Sequence, residues 1–305
     1  MRERLEYAAV RLILKSLSIL PRRIARMIAE TLAQFLFLLF PKLRRVAMVN
    51  LRIAFPDWTD ARRGRVILQL VRNLGGMAAE FSQFPKWSRE NISRYVLLEG
   101  HGNFLTGQAR NRGVLFLTGH MGGWEVSSFA HAIYGYPLHF MVRPLDNPRV
   151  NALVNDYRSR SGNRPIYKNA SARAVLSILR DSGTIGVLAD QNTMPEEGIF
   201  VPFFGTPACT TTGIARLALH TDAAVVPGYA YWDKTLGKYR LRFEPPLELI
   251  RTGDTERDIR ENTARFTKVI EEFARRYPDQ WLWIHARWKT RPAGEPPMYP
   301  FLDRH

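Results

Sequence analysis

Residues Gly119–Glu125 read GHMGGWE, and they place a histidine five residues ahead of a glutamate directly after the apolar run Val114–Leu117. A neutral imidazole can take a proton from a hydroxyl, while a nearby carboxylate fixes its tautomer and steadies the cation that forms. A five-residue step is not the three or four that brings helix positions face to face. The spacing therefore predicts His120 in the turn between a strand and a helix, with Glu125 in the first helical turn. Gly122 and Gly123 let the backbone turn tightly there. The helix N-terminus disfavours imidazolium and Glu125 favours it, and together they leave a ring ready to accept a proton. The plainer alternative is that His120 caps the helix and Glu125 complements its dipole.

Three further stretches carry polar side chains after apolar runs. Arg143 in VRPLDNP can hold a phosphate or carboxylate with both arms of its guanidinium. Asp190 and Gln191 in GVLADQN can position an acceptor hydroxyl or hold Arg143. Arg216, within residues 213–219, is a secondary candidate for an anionic group. The run 199–205 is unusually apolar for a connection, so Phe200, Phe203 and Phe204 are read as lining a channel for an acyl chain, with burial against the core as the alternative. Cys209 reads as a small buried filler, and Thr210, Thr211 and Thr212 as helix caps. The chain has no GxSxG elbow, HExxH helix, GxxxxGK[ST] loop or CxxC pair. A histidine–carboxylate pair without a nucleophilic side chain points to direct attack by a substrate hydroxyl on an activated acyl group. No metal and no cofactor is expected beyond the acyl donor as co-substrate.

The elements that must carry these residues follow from periodicity. Short β-rich runs at 113–118, 138–142, 165–167, 184–189 and 225–231 alternate with helical stretches at 123–134, 148–160, 171–181 and 211–221. Such alternation predicts an α/β fold with a mostly parallel central sheet flanked by helices. A strand at 239–243 is expected to be antiparallel, 256–277 a long amphipathic helix, and 281–284 a last short strand. Ligands of such sheets sit beyond the strands' carboxyl ends, where His120, Arg143 and Asp190–Gln191 all fall. Residues 1–95 are read as an N-terminal helical, membrane-associating region and 96–305 as the α/β core.

Charge supports a membrane surface. The chain holds 44 Lys and Arg against 28 Asp and Glu, a net +16. Residues 1–52 hold eleven basic and three acidic side chains, leaving +8. The segment Met27–Phe40 is shorter than the ~20 apolar residues of a comfortable span. Residues 1–45 are thus read as apolar helices with basic flanks lying on or in a membrane. The alternative is that Leu32, Phe35, Leu36 and Leu39 form one buried face of a core helix. No nucleic-acid module is visible, so a basic nucleic-acid or membrane binder without activity is the minor reading. The single cysteine, Cys209, excludes an internal disulfide.

The ordered set NLRIAFPDW (50–58), NLGGMAAEF (73–81), GHMGGWE, VRPLDNP, GVLADQN, FVPFFGTPACTTTG (200–213) and HARWKTRP (285–292) resembles the late acyltransferases of lipid A biosynthesis. These lie within the wider lysophospholipid acyltransferase superfamily, marked by His, four residues, then Asp or Glu. The resemblance implies an enzyme at the cytoplasmic face of the inner membrane. It would move a fatty acyl chain from acyl carrier protein or acyl-CoA to a hydroxyl of a lipid A precursor or related glycolipid. It implies His120 and Glu125 as the catalytic dyad, with Arg143 and Asp190 holding substrate. A lysophospholipid acceptor, or water as in an acyl hydrolase, remains the alternative.

Overall fold

The computed structural model describes residues 1–167 and 172–302. Four helices come first: α1 (Arg2–Ile19), α2 (Arg22–Leu38), α3 (Pro41–Ala54) and α4 (Asp60–Gln83). There follow β1 (Val96–Glu99), α5 (His101–Gln108), β2 (Val114–Thr118), α6 (Trp124–Ile133), β3 (His139–Val142), α7 (Pro148–Ser159), β4 (Arg164–Tyr167), α8 (Ala172–Arg180) and β5 (Thr184–Leu188). The chain continues through β6 (Gly198–Phe203), β7 (Thr206–Thr211), α9 (Gly213–Thr221), β8 (Ala224–Asp233), β9 (Lys238–Phe243) and α10 (Thr255–Arg276). Ser171, the expected start of α8, lies outside the described residues.

A seven-stranded sheet runs in the order β1-β9-β8-β2-β5-β3-β4. Strands β8, β2, β5, β3 and β4 pair in parallel, whereas β9 is antiparallel to β8 and parallel to β1. All five residues of β2, VLFLT, are buried, as a strand covered on both faces must be. Helix boundaries follow local chemistry. Asn147 accepts hydrogen bonds from the Arg149 and Val150 amides with Pro148 in the first turn, and Asp254 caps α10 through the Glu256 and Arg257 amides. Helix α10 buries Ile259, Phe266, Ile270 and Phe273 on one stripe.

Leu51 and Ile67 of the N-terminal helices share one buried cluster with Leu117, Val187 and Trp283. The outer faces of α1 and α2 differ. Leu32, Phe35, Leu36 and Leu39 are 45%, 68%, 47% and 72% exposed, so they are not one buried face of a core helix. Among the described residues no single helix is long and apolar enough to cross a membrane, although α2 and α3, bent by 95° at their junction, pass such a test as a pair.

Two local expectations are corrected. Residues 281–284 form no strand; Trp281 makes one isolated bridge to Met121. The stretch 198–211 is an antiparallel hairpin of β6 and β7. Thr210 and Thr211 therefore belong to a strand, and Thr212 at the start of α9 makes no side-chain cap. Cys209 is fully buried in β7.

Candidate active site

The turn between β2 and α6 is held from three directions. The Gly122 amide donates to the Gln280 carbonyl at 2.7 Å, the Gly123 amide to the Ala230 carbonyl at 2.9 Å, and the Leu282 amide to the His120 carbonyl at 3.0 Å. Gly122 adopts φ +52°, and a Cβ there would sit 2.1 Å from the Ala230 oxygen, so both conformation and space require glycine. At Gly119 a Cβ would come within 3.0 Å of the Asp190 carboxyl, which lets the strand end press against that acid.

Asp190, just past β5, meets this turn at two atoms. Its Oδ2 accepts the His120 backbone N–H at 2.7 Å, and its Oδ1 lies 2.8 Å from His120 Nδ1. Trp281 Nε1 donates to Oδ2 at 2.9 Å. An ionised carboxylate only accepts, so the proton of the neutral ring sits on Nδ1 and Nε2 keeps its lone pair. Nε2 lies 3.3 Å from Gln191 Nε2, and Trp124 stands edge-on to the ring at 5.3 Å. The His120 side chain retains 18% exposure, against 2% for Asp190.

Glu125 occupies the first turn of α6, as its spacing predicts, but the carboxylate that hydrogen-bonds His120 is Asp190. Glu125 is instead gripped by Arg158 of α7: Nε donates to Oε2 at 2.8 Å and Nη2 donates to Oε1. The pair lies close enough to His120 for Glu125 to favour the charged ring and Arg158 to disfavour it. Burial alone would lower the His120 pKa, yet the charge and hydrogen bond of Asp190, aided by Glu125, outweigh it and raise it. The expected balance between helix N-terminus and Glu125 is thus replaced by one dominated by Asp190. Burial pushes the Asp190 carboxyl up, but His120 outweighs it and holds it below the usual carboxylate range.

The other candidates disperse. Arg143 follows β3 and is exposed, with no hydrogen bond to Asp190, His120 or Gln191. Arg216 hydrogen-bonds Thr212 Oγ1 at 3.1 Å and faces Glu256 at 3.8 Å on the exposed side of α9. Phe203 and Phe204 are 1% and 7% exposed, packed on Trp281, Trp283 and Trp288, so they build the core where an open channel was expected. Phe200 is half-buried on β6. Among the described residues no group of three His, Cys, Asp or Glu could hold a metal ion.

The terminal segment braces the Asp190 loop. The Asn192 amide donates to His285 Nε2 at 3.0 Å, and Asn192 and Thr290 exchange two hydrogen bonds at 2.9 and 3.0 Å. Burial pushes the His285 pKa down to about 4, which keeps that nitrogen an acceptor. Asn50 Nδ2 donates to the Trp283 and His285 carbonyls, and Tyr299 donates to Asn50 Oδ1 at 2.5 Å. Sequence reasoning gave no role to Arg158, Trp281 or His285, although NLRIAFPDW and HARWKTRP both stood out as motifs.

A partly exposed histidine at the carboxyl end of a parallel strand, backed by a buried carboxylate on an α/β fold, is an arrangement that can take up and return a proton. The family profile of the bacterial lipid A biosynthesis acyltransferases matches residues 2–290, and the chain belongs to that family; it is an acyltransferase. It is 29% identical over 265 residues to the lipid A biosynthesis lauroyltransferase of Escherichia coli (strain K12), covering 84% of this chain and 83% of the relative. It is 28% identical over 255 residues to the palmitoleoyltransferase of the same strain, covering 83% and 81%. A lipid A biosynthesis acyltransferase of Haemophilus influenzae is 26% identical over 256 residues, covering 83% and 78%.

Proposed function

We propose that the protein transfers a fatty acyl chain from a thioester donor, acyl carrier protein or coenzyme A, to a hydroxyl of a lipid A precursor or closely related glycolipid, with His120 as general base. The observation that supports this most is the 2.8 Å contact of Nδ1 with Asp190, which leaves Nε2 unprotonated, with the exposed Gln191 amide 3.3 Å away. The acceptor hydroxyl gives its proton to Nε2 as its oxygen attacks the thioester carbonyl. The new C–O bond forms, the C–S bond breaks, and the imidazolium returns the proton to the departing sulfur. Asp190 steadies the imidazolium. Glu125 acts as a positioning carboxylate that adds negative charge beside the ring and anchors α7 through Arg158.

The membrane reading rests on α1 and α2. Ile13, Ile24, Ile28 and Phe35 are 48%, 43%, 42% and 68% exposed among basic neighbours such as Arg11 and Arg23. An amphipathic surface of this kind lies in the headgroup layer of an anionic membrane, here the cytoplasmic face of the inner membrane. Purified His120→Ala protein, assayed with acyl carrier thioester and lipid A precursor in mixed micelles, should show severely reduced transfer; near-normal turnover removes the assignment.

A further inference from the structure

The motif NLGGMAAEF has no hydrogen bond to His120; it lies in α4 and holds the α2 arginines that line a different cleft. At Gly75 a Cβ would meet the Ala29 carbonyl oxygen at 2.4 Å, and at Gly76 it would meet the Arg26 guanidinium at 2.4 Å. The two glycines therefore let α2 press against α4 and let Arg26 lie flat over the junction. Glu80, fully buried one turn further on, pairs with Arg22 at 2.8 Å and Arg26 at 3.3 Å. Arg26 also pairs with Glu30, which pairs with Arg72. On its other side Arg26 stacks on the Trp232 ring at 3.3 Å, and Arg22 donates to the Gly237 carbonyl.

Above this frame opens a cleft of about 460 Å³ between α2, α4 and the β8–β9 turn. Arg22, Arg23, Arg26, Arg72, Arg94 and Lys238 line it, against Glu30 alone among acidic lining residues. Glu80 and Glu30 are already engaged by Arg22, Arg26 and Arg72. The charges of Arg23, Arg94 and Lys238 therefore stay uncompensated by any carboxylate among the described residues. Lys238 meets only the Ser93 carbonyl, at 3.1 Å. Such concentrated positive charge, with Arg22 and Arg26 held in place by the buried Glu80, suits a doubly charged phosphate. The mouth is apolar on one side: Met27 and Leu236, 61% and 45% exposed, line it, and the exposed face of α2 continues from Met27.

We propose that this cleft binds the phosphate monoester of a lipid headgroup, with Arg23, Arg94 and Lys238 on the phosphate and the acyl chains leaving along α2. A concave site of this volume fits a headgroup better than the convex face of a protein partner. The site is joined to the reaction centre through Gln280. Its side chain bonds the Trp232 amide and carbonyl at 2.7 and 3.1 Å, and its carbonyl takes the Gly122 amide. Gln280 thus ties one wall of the cleft to the turn that carries His120, so the inference deepens the proposed acyl transfer while its binding test stands apart from it.

The test uses the full chain, with flotation on phosphatidylcholine vesicles doped with phosphatidic acid, a monoester, or with phosphatidylglycerol, a diester, at matched surface charge. Wild-type protein is expected to prefer phosphatidic acid, and Arg23→Ala/Arg94→Ala to lose that preference by about tenfold with phosphatidylglycerol binding little changed. Equal binding of both lipids by the wild type, or equal loss on both by the variant, reduces the cleft to diffuse membrane charge and overturns the proposal. Displacement of the preference by inorganic phosphate at concentrations equal to soluble dioctanoyl phosphatidic acid shows that a free anion suffices and overturns the lipid source. Displacement by acyl carrier protein, lost in the same variant, makes the cleft a protein-docking face and also overturns it. His120→Ala should keep the phosphatidic acid preference, so a failed acyl-transfer mechanism and a failed headgroup site give different results.

Discussion

Asp190 binds His120 twice, through the ring nitrogen Nδ1 at 2.8 Å and through the backbone amide at 2.7 Å. One carboxylate thereby fixes the orientation of the imidazole and the path of the turn that carries it. Asp190→Asn keeps the size of the side chain but presents an amide, which cannot reproduce both acceptor contacts. Transfer should fall on the order of a hundredfold or more, the scale of a lost general base. Steady-state kinetics beside circular dichroism checks this; retained activity with native ellipticity would return the orienting role to Glu125.

The pH profile should carry the same signature. Burial lowers the His120 pKa, but Asp190 and Glu125 outweigh it and raise it above 6.5. The base is charged, and idle, below the raised value, so kcat/KM should climb as pH rises through it, with its acidic limb above 6.5. In Asp190→Asn the limb should move to lower pH. The stability supplied by the ion pair follows the opposite course. With Asp190 ionised, it is complete below 6.5 and fades as pH rises through the raised value. A wild-type limb at or below 6.5 contradicts the arrangement.

Glu125 and Arg158 should behave as a coupled pair. Their side chains are 14% and 23% exposed and meet through both carboxylate oxygens. Glu125→Gln or Arg158→Met alone should cost about 1–3 kcal/mol of stability, and the double variant less than the sum. Urea unfolding of the three variants measures the coupling, and strict additivity would mean that the contact contributes nothing.

Acid sensitivity should trace to His131. Burial among Phe104, Phe116, Tyr136 and Phe243, with His101 nearby, pushes its pKa down to about 3. Folding therefore favours the neutral ring, and that stability, intact above about 6.5, is lost as pH falls from there toward about 3. At pH 5 the penalty amounts to about 2 kcal/mol. His131→Phe should flatten the decline of Tm between neutral pH and pH 5, whereas an unchanged slope assigns the acid loss to other groups.

Membrane attachment should depend on α2. Phe35 and Leu39 are 68% and 72% exposed, so acidic substitutions there remove apolar contact and add repulsion without opening the core. Phe35→Glu/Leu39→Glu should release most of the protein from anionic vesicles in flotation while leaving Tm nearly unchanged. Undiminished flotation would place the attachment surface elsewhere.

The alternation of strands and helices was legible because it is written in local periodicity; β2, β5, β8, β9 and α10 fall within a few residues of their expected places. What local pattern could not carry was pairing across distance. Asp190 stands 70 residues from His120, so spacing drew attention to Glu125, whose carboxylate is committed to Arg158. The apolar run 199–205 was read as a channel because hydrophobicity alone does not distinguish a lined cavity from a packed hairpin. Cross-strand pairing of Phe203 with Thr206, Trp281 and Trp288 against Phe203, and Trp283 against Phe204 decide for packing. Likewise Trp281–Ile284 has the composition of a strand but is spent on contacts that pin Asp190 and the His120 turn.

That pinning has a temporal side. The loop holding Asp190 is braced by Trp281, His285 and Thr290, and His285 in turn is tied to Asn50, which Tyr299 reaches across 249 residues of sequence. A nascent chain whose sheet has already emerged from the ribosome still lacks the braces of its own base. The enzyme should thus stay silent through most of its synthesis, and chains stalled before residue 281 should carry a near-complete sheet and no transferase activity.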